Sequence, residues 1–130
     1  ASIPAVFRRF LAEGLPGYVA HRWAALDDAV GWIRGAGGTA VLAHPGRYRV
    51  NDLERDALIG QFTDAGGEAI EVLSGSHTPA QYDEFARVAQ RHGLAASRGS
   101  DFHGPGEGRV DLGELPALPG ALAPVWSRWR

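Results

Sequence analysis

Three short apolar segments of this chain each end on residues that bind metals or phosphates. The segments are residues 39–43, 69–73 and 94–97, and histidine, serine or aspartate follows each within a few positions. Helical patterns separate the segments. In a parallel α/β sheet the carboxyl ends of the strands lie at one edge, so residues far apart in sequence can share a site. The pattern therefore predicts an α/β enzyme, and the residue types favour a metal-dependent one.

The length of the chain limits the architecture. At 130 residues it is one domain in size, whereas a complete (β/α) barrel takes on the order of 200 residues or more. We therefore expect part of such a barrel, or a smaller open sheet.

Composition excludes several classes of function. The net charge of −2 provides no basic field for a long nucleic-acid duplex. The absence of cysteine excludes disulfides, thiolate catalysis and cysteine-ligated zinc. A metal would then be bound by histidine and carboxylate. No apolar run approaches the roughly 20 residues of a membrane span, and the start lacks the pattern of a signal peptide, so we expect a cytoplasmic protein.

The chain divides into three regions within a single domain spanning residues 1–130. Residues 1–36 are a helical lead-in, residues 39–103 alternate as β-α-β-α-β, and residues 104–130 are an irregular tail rich in proline and glycine. The short loops favour parallel strands with right-handed crossovers. Apolar spacing places Trp32 and the following residues of the third helix in the core: Leu53, Ala57, Leu58, Ile59 and Phe62. Trp126 and Trp129 would anchor the tail.

The sharpest local signal is Asp101-Phe102-His103. In an extended segment residues i and i+2 point the same way, so the carboxylate and the imidazole would aim together while Phe102 turns into the packing. With His44 at the end of a neighbouring strand, two histidines and one carboxylate could share a metal ion. The alternatives are a hydrogen-bonded Asp–His pair at a turn, and a strand-end histidine bonded to the backbone.

Polar residues also follow the middle segment. Ser74, Ser76 and His77 precede a predicted helix near residue 78, whose N-terminus could bind an anion, although helix capping would explain the hydroxyls equally well. Glu71 interrupts the apolar segment itself. Glu71 is either an interior group that assists a metal ion or a metal-binding histidine, or an edge residue that faces solvent.

Two residues after His44-Pro45 could contact a substrate. Arg47 has the planar donors that suit a phosphate, and Tyr48 offers a ring for stacking. A solvated surface position is the alternative for each.

Three motifs taken together resemble one enzyme family. They are Ala-His-Pro-Gly-Arg-Tyr at 43–48, Ile-Glu-Val-Leu-Ser-Gly-Ser-His at 70–77 and Gly-Ser-Asp-Phe-His-Gly-Pro at 99–105. This set resembles the PHP (polymerase and histidinol phosphatase) family of metal-dependent phosphoesterases. Its closest branch acts on nucleoside 3′,5′-bisphosphates and on short RNA from the 5′ end.

The resemblance implies the C-terminal part of a distorted (β/α)₇ barrel with divalent ions at the carboxyl ends of its strands. The expected ion is Mn²⁺, with Zn²⁺, Fe²⁺ or Mg²⁺ as alternatives. By this likeness the metal ligands are His44, Asp101 and His103, and Glu71 assists them. The substrate-binding residues implied by the resemblance are Arg47, Tyr48, Ser74 and Ser76. The implied catalytic residue is His77. The reaction would be phosphate-ester hydrolysis by metal-activated water, on a phosphorylated nucleotide or short RNA.

One departure from the family lowers the expected activity. The His-x-His motif that opens the family is not in this chain, so we expect a partial ligand set and weak activity from this chain alone. The alternative functions are a metal-dependent amidohydrolase and a non-catalytic remnant that binds a nucleotide or a partner. Exposed sheet edges would favour a homo-oligomer, or pairing with the missing N-terminal half.

Overall fold

The computed structural model describes residues 2–129 and contains three parallel strands that alternate with helices, as the sequence predicts. The strands are β1 (Val41–Leu42), β2 (Ala69–Ser74) and β3 (Ala95–Gly99). The α-helices are α1 (Ile3–Val6), α2 (Leu26–Gly35), α3 (Asp52–Asp64) and α4 (Pro79–Arg91). A π-helical turn spans Phe7–Leu11, and 3₁₀ turns span Pro45–Arg47 and Val125–Arg128.

The sheet has the order β1-β2-β3, with every pairing parallel. The central strand β2 is buried along nearly its whole length, as expected for a parallel strand covered on both faces. Its register to β3 shifts between Glu71 and Leu73, which pair with Ser97 and Arg98. This bulge lies just before the carboxyl end of β2, and such bulges change the direction of the side chains that follow.

Helices α3 and α4 each begin at a residue that caps the helix, and the start of α4 near residue 78 is the one predicted. Asn51 and Thr78 each form a capping box. The side chain of the cap accepts a hydrogen bond from the backbone amide of the third helical residue, and the side chain of that residue accepts one from the backbone amide of the cap. From these starts the helices pack Ile59, Phe62 and Phe85 into one core with β2. The capping boxes therefore fix where the two helices begin.

Several residues predicted to be inside lie at the surface. The exposed fraction is 81% for Leu53 and 68% for Trp32, and Ala57 is also exposed. With 3.6 residues per turn, Leu53 lies about 120° around α3 from Ile59, away from the face that meets the sheet. The prediction that Leu53 belongs to the core-facing side of this helix is therefore wrong.

The tail is more ordered than its composition predicts. The Ala96 amide donates to the Ala123 carbonyl at 2.9 Å, Pro124 forms a parallel bridge with Ala96, and Leu122 and Val125 are buried. The tail thus covers the outer edge of β3. Its two tryptophans contribute less than expected, because Trp126 and Trp129 stay 40% and 62% exposed.

The opposite edge of the sheet is open. Within residues 2–129, β1 is paired only with β2. In the same part of the chain, no helix is long and apolar enough to traverse a lipid bilayer.

Candidate functional site

Glu71 lies in the central strand β2, beside the end of β1. Its Oε2 accepts a hydrogen bond from the His44 amide at 2.7 Å, which links β2 to the end of β1. Burial raises the pKa of Glu71, and the nearby Asp101 raises it further, while the His44 amide and the imidazoles of His44 and His77 oppose the shift. Of the two predicted environments, the structure shows the half-buried one rather than a solvent-facing edge.

His44 ends β1 in an unusual backbone conformation. Its φ of 31° lies in the left-handed region that non-glycine residues seldom adopt. The imidazole packs edge-on against Tyr48, with ring centroids 6.5 Å apart. Its Nδ1 is buried and has no hydrogen-bond partner within residues 2–129. A buried ring nitrogen without a hydrogen-bond partner is available to bind a metal ion or another group from outside the described residues.

Asp101 and His103 follow β3 in a similarly constrained turn. Asp101 also has a left-handed φ, of 55°. His103 Nδ1 lies 2.8 Å from the Asp101 carbonyl oxygen, and since a carbonyl can only accept, Nδ1 carries the proton and Nε2 is left as an acceptor. The Asp101 carboxylate is 16% exposed and receives a hydrogen bond from Arg47 at 3.3 Å.

Asp101, His103 and Arg47 border a cleft of about 450 Å³ at the carboxyl edge of the sheet. Its lining comes from the loops after all three strands: Arg47, Gly75, Ser76, Asp101, His103, Glu107, Gly108 and Arg109. We call it the Arg47 cleft. The fold therefore brings together four of the predicted site residues, namely Arg47, Ser76, Asp101 and His103.

His77 has a different place from the one predicted. It is 4% exposed, its Nδ1 donates to the Val72 carbonyl at 3.1 Å, and its Nε2 accepts from the Gly46 amide at 3.0 Å. Both ring nitrogens are thus engaged by the backbone, and the ring stacks on Phe85 with centroids 4.8 Å apart. The prediction that His77 is a proton-transferring residue is corrected, because no ring nitrogen is free to meet a substrate.

The structure gives His77 a positioning role instead. A Cβ at Gly46 would come within 2.8 Å of the His77 ring and 2.6 Å of Gln81, so only glycine fits between them. Gln81 also donates to the Gly46 carbonyl at 3.2 Å. Together these contacts hold the Pro45–Arg47 turn, and with it the start of the Arg47 side chain.

Three further residues differ from their predicted roles. Ser74 is fully buried, and its hydroxyl bonds to that of Ser76 at 3.0 Å rather than facing the cleft. Tyr48 donates its hydroxyl to the Ala43 carbonyl at 2.8 Å and packs against the core, and it is not among the residues that line the Arg47 cleft. Burial raises the pKa of Tyr48, with a smaller contribution from Glu71. Phe102, predicted to pack inside, is 38% exposed.

The predicted metal ligands do not assemble into a complete site. Across residues 2–129 no group of three or more histidine, aspartate or glutamate side chains lies close enough together to hold a metal ion. The expectation that His44, Asp101 and His103 gather around one cation is therefore not met by this arrangement. The unpartnered Nδ1 of His44 and the acceptor Nε2 of His103 have the right chemistry, but these residues alone do not fit a metal.

Sequence reasoning missed Arg109 and Glu107 in the cleft. Glu107 lies within the glycine-rich stretch 104–108 and Arg109 follows it directly, in a region that the sequence predicts to be irregular tail. The one sequence feature that could have predicted a role for Arg109 is its place directly after three closely spaced glycines. Glycines allow a loop to turn back towards the end of a strand.

Comparisons with known proteins identify the family. The chain is 56% identical over 121 residues to the 3′,5′-nucleoside bisphosphate phosphatase of Chromobacterium violaceum, a match that covers 93% of this chain and 42% of the relative. It is 39% identical over 129 residues to the 5′-3′ exoribonuclease Rnm of Salmonella typhimurium, covering 99% of this chain and 44% of the relative. The chain belongs to the PHP family. No protein-family model matches the chain.

Two solved structures resemble this chain over most of its length. One, described as an amidohydrolase from Chromobacterium violaceum with bound sulfate and no metal, superposes with a TM-score of 0.79 at 54% identity, over 95% of this chain and 43% of that one. Another, provisionally described as a metal-dependent phosphoesterase from Bifidobacterium adolescentis, gives a TM-score of 0.56 at 28% identity, over 80% of this chain and 37% of that one. This PHP chain therefore spans less than half the length of the curated relatives it matches, a share consistent with the C-terminal half that the motifs imply.

Proposed function

We propose that this chain forms the phosphate-binding edge of a metal-dependent phosphoesterase that acts on phosphorylated nucleotides or short RNA. One observation carries the proposal: loops after all three strands bring Arg47, Ser76, Asp101 and His103 to one cleft. The relatives named as a bisphosphate phosphatase and an exoribonuclease both act on phosphate esters by their names. The domain is proposed to be the C-terminal portion of a single PHP domain.

The residues of the cleft suit a phosphate group. Arg47 is 55% exposed at its side chain and already binds a carboxylate, Asp101, at 3.3 Å. A phosphate presents similar oxygens with more charge, so it would compete for the same guanidinium. Ser76 adds a hydroxyl that can donate to a phosphate oxygen. These contacts would hold the phosphate in one orientation.

The metal centre would be completed by ligands beyond those described. When bound, divalent ions supply an activated water and neutralise charge in hydrolysis of this class. We propose His44, Asp101 and His103 as a partial ligand set and Mn²⁺ as the preferred ion, with Glu71 holding His44. Because these side chains do not form a group of three in this part of the chain, we expect weak ion binding and slow turnover.

The proposal is tested by phosphate binding. We would titrate the chain with inorganic phosphate and follow amide shifts by NMR, comparing Arg47→Ala with the matched control Arg49→Ala, an exposed arginine outside the cleft. Loss of a charge-assisted contact predicts an affinity weakened about ten-fold or more in Arg47→Ala and unchanged in the control. Equal affinities in both variants would contradict the proposal.

A second candidate function comes from the relative described as an amidohydrolase. Assaying a nucleoside bisphosphate against a cyclic amide, each with added Mn²⁺, would separate the two. Release of phosphate without amide cleavage supports the phosphoesterase, and the reverse result would replace it.

A further inference from the structure

The loop of residues 104–114 brings Glu107 and Arg109 to the Arg47 cleft, but it is weakly attached to the body of the protein. None of its residues is buried. Its own hydrogen bonds join near neighbours, such as the Glu107 amide and the Gly104 carbonyl at 3.1 Å. Bonds of this kind shape the loop without fixing it to a strand or a helix. The loop therefore needs an anchor elsewhere to keep its side chains at the cleft.

Arg98 supplies that anchor. It lies in β3 opposite Leu73, and its Nη1 donates to the carbonyls of Leu115 at 3.3 Å and Pro116 at 2.7 Å. Within residues 2–129, these are the only hydrogen bonds that join residues 104–118 to the rest of the chain. Because the donor is charged, each bond is stronger than one between neutral groups. The far end of the loop is thus tied to the strand that ends at the cleft.

Packing does not replace these two bonds. Where the tail crosses the end of β3, a hollow of about 290 Å³ lies between them, lined by Arg98, Gly99, Ser100, Leu112, Gly113 and Leu115. The next residue along the tail that packs against the core is Leu118. Without the Arg98 bonds, the unanchored stretch would therefore extend from residues 104–114 to residues 104–117.

The loop carries two opposite charges to the cleft. Arg109 and Glu107 both border it, and neither forms an ion pair within residues 2–129. Arginine attracts a phosphate and glutamate repels it. The two contributions partly cancel in the total affinity, so the position of the loop is read from the effect of each residue taken separately.

From these features we infer that Arg98 is a positioning residue of the Arg47 cleft. By holding the tail, Arg98 keeps Arg109 and Glu107 beside the bound phosphate. It does not touch the phosphate itself, since it is not among the residues that line the cleft. This inference rests on the proposed function, because a bound phosphate is what the two charges act on.

The experiment is a double-mutant cycle on the affinity for inorganic phosphate at low salt. In the parent, Arg109→Gln should weaken binding about two-fold to five-fold, and Glu107→Gln should strengthen it by a similar factor, as expected for exposed charges. In the Arg98→Ala background both effects should disappear, because the loop no longer holds the charges at the cleft. If Arg98 contributed only to stability, both effects would remain.

Two controls separate the anchor from the charge of Arg98. Arg98→Lys keeps a cation that can donate to either carbonyl, so it should retain most of both effects. Arg128→Ala removes another arginine of the tail, one that pairs with Glu68 at 3.0 Å, and should leave both effects at their parent size.

The anchor is also measured without phosphate. Trypsin cleaves after arginine, and the rate of cleavage after Arg109 can be followed by mass spectrometry. Proteolysis follows the population of open conformations, so this rate should rise about ten-fold in Arg98→Ala. It should stay unchanged in Arg128→Ala.

The outcomes that overturn the inference are distinct from failure of the proposed function. If phosphate binds through Arg47 but the effects of Arg109→Gln and Glu107→Gln persist in Arg98→Ala, or are absent in the parent, Arg98 positions nothing while the proposed function stands. Unchanged cleavage in Arg98→Ala leads to the same conclusion. If phosphate does not bind, or Arg47→Ala has no effect on it, the proposed function fails, and the role of Arg98 in phosphate binding fails with it.

Discussion

Replacing Glu71 tests how the three strand ends are held together. Glu71→Ala removes the acceptor of the His44 amide, a 2.7 Å bond to a carboxylate, and leaves that amide without a partner in a part-buried position. Losing such a bond costs about 1–2 kcal/mol in the free energy of unfolding, the lower part of the range because Glu71 is only half-buried. The left-handed backbone of His44 is itself unfavourable by roughly 1 kcal/mol, so His44 should relax once the bond is gone.

Glu71→Gln gives the opposite expectation. Glutamine keeps a carbonyl oxygen for the His44 amide and removes a carboxylate whose pKa is raised by burial. Burial disfavours the ionised carboxylate and offsets its attraction to the imidazoles of His44 and His77. The free energy of unfolding of Glu71→Gln should therefore lie within about 0.5 kcal/mol of that of the parent.

Urea unfolding at pH 7 measures the Glu71 variants, and the His44 amide shift reports the local geometry. Glu13→Ala, at an exposed glutamate in the connector after the π-helical turn, is the control and should change stability by less than about 0.5 kcal/mol. If both Glu71 variants lose the same amount, the charge and not the hydrogen bond holds His44. If neither changes, Glu71 does not fix the strand ends at all.

Three further outcomes follow from contacts elsewhere in the molecule. Phe85→Ala removes a fully buried ring and should lower the free energy of unfolding by about 3–5 kcal/mol, measured by urea titration. A hydrogen bond from His92 lowers the pKa of Asp56 from its usual 3.8. The ionised Asp56 therefore stabilises the fold above its pKa in the unfolded chain, and this contribution is lost as the pH falls through its pKa in the folded chain. Below about pH 4 the parent should lose more stability than Asp56→Asn. The open edge of β1, together with exposed apolar side chains such as Trp23, at 86%, should give dimers or larger assemblies in light scattering, and a clean monomer would refute this.

The order of strands and helices could be predicted from local sequence, because each signal depends on neighbouring residues. The capping boxes of Asn51 and Thr78 need only the three residues that follow them, and the buried strand β2 is a short apolar run. Parallel pairing then follows from connections that contain a helix. Arg47, Ser76, Asp101 and His103 share a cleft for the same reason: each lies just after a strand.

The roles of individual side chains depend on contacts that sequence spacing does not reveal. His77 is held by an amide 31 positions away, so its burial and occupied nitrogens could not be deduced from its position before a helix. Phe102 was expected inside because it alternates with Asp101 and His103, but the left-handed turn at Asp101 interrupts that alternation. Arg109 reaches the cleft on a glycine-rich loop, and neither helical nor strand periodicity predicts the path of such a loop.

We expect phosphate binding by this chain not to depend on a metal ion, and that has a measurable consequence. Arg47, Ser76 and His103 already border one cleft, whereas no group of three metal-binding side chains forms within residues 2–129. Phosphate should therefore bind this chain through arginine and hydroxyl donors alone, with the same affinity in EDTA as in millimolar Mn²⁺. Raising the salt concentration should weaken it, because the contact is between exposed charges. If phosphate binds only when Mn²⁺ is added, the cleft is built around the ion, and the arginine contacts are secondary to it.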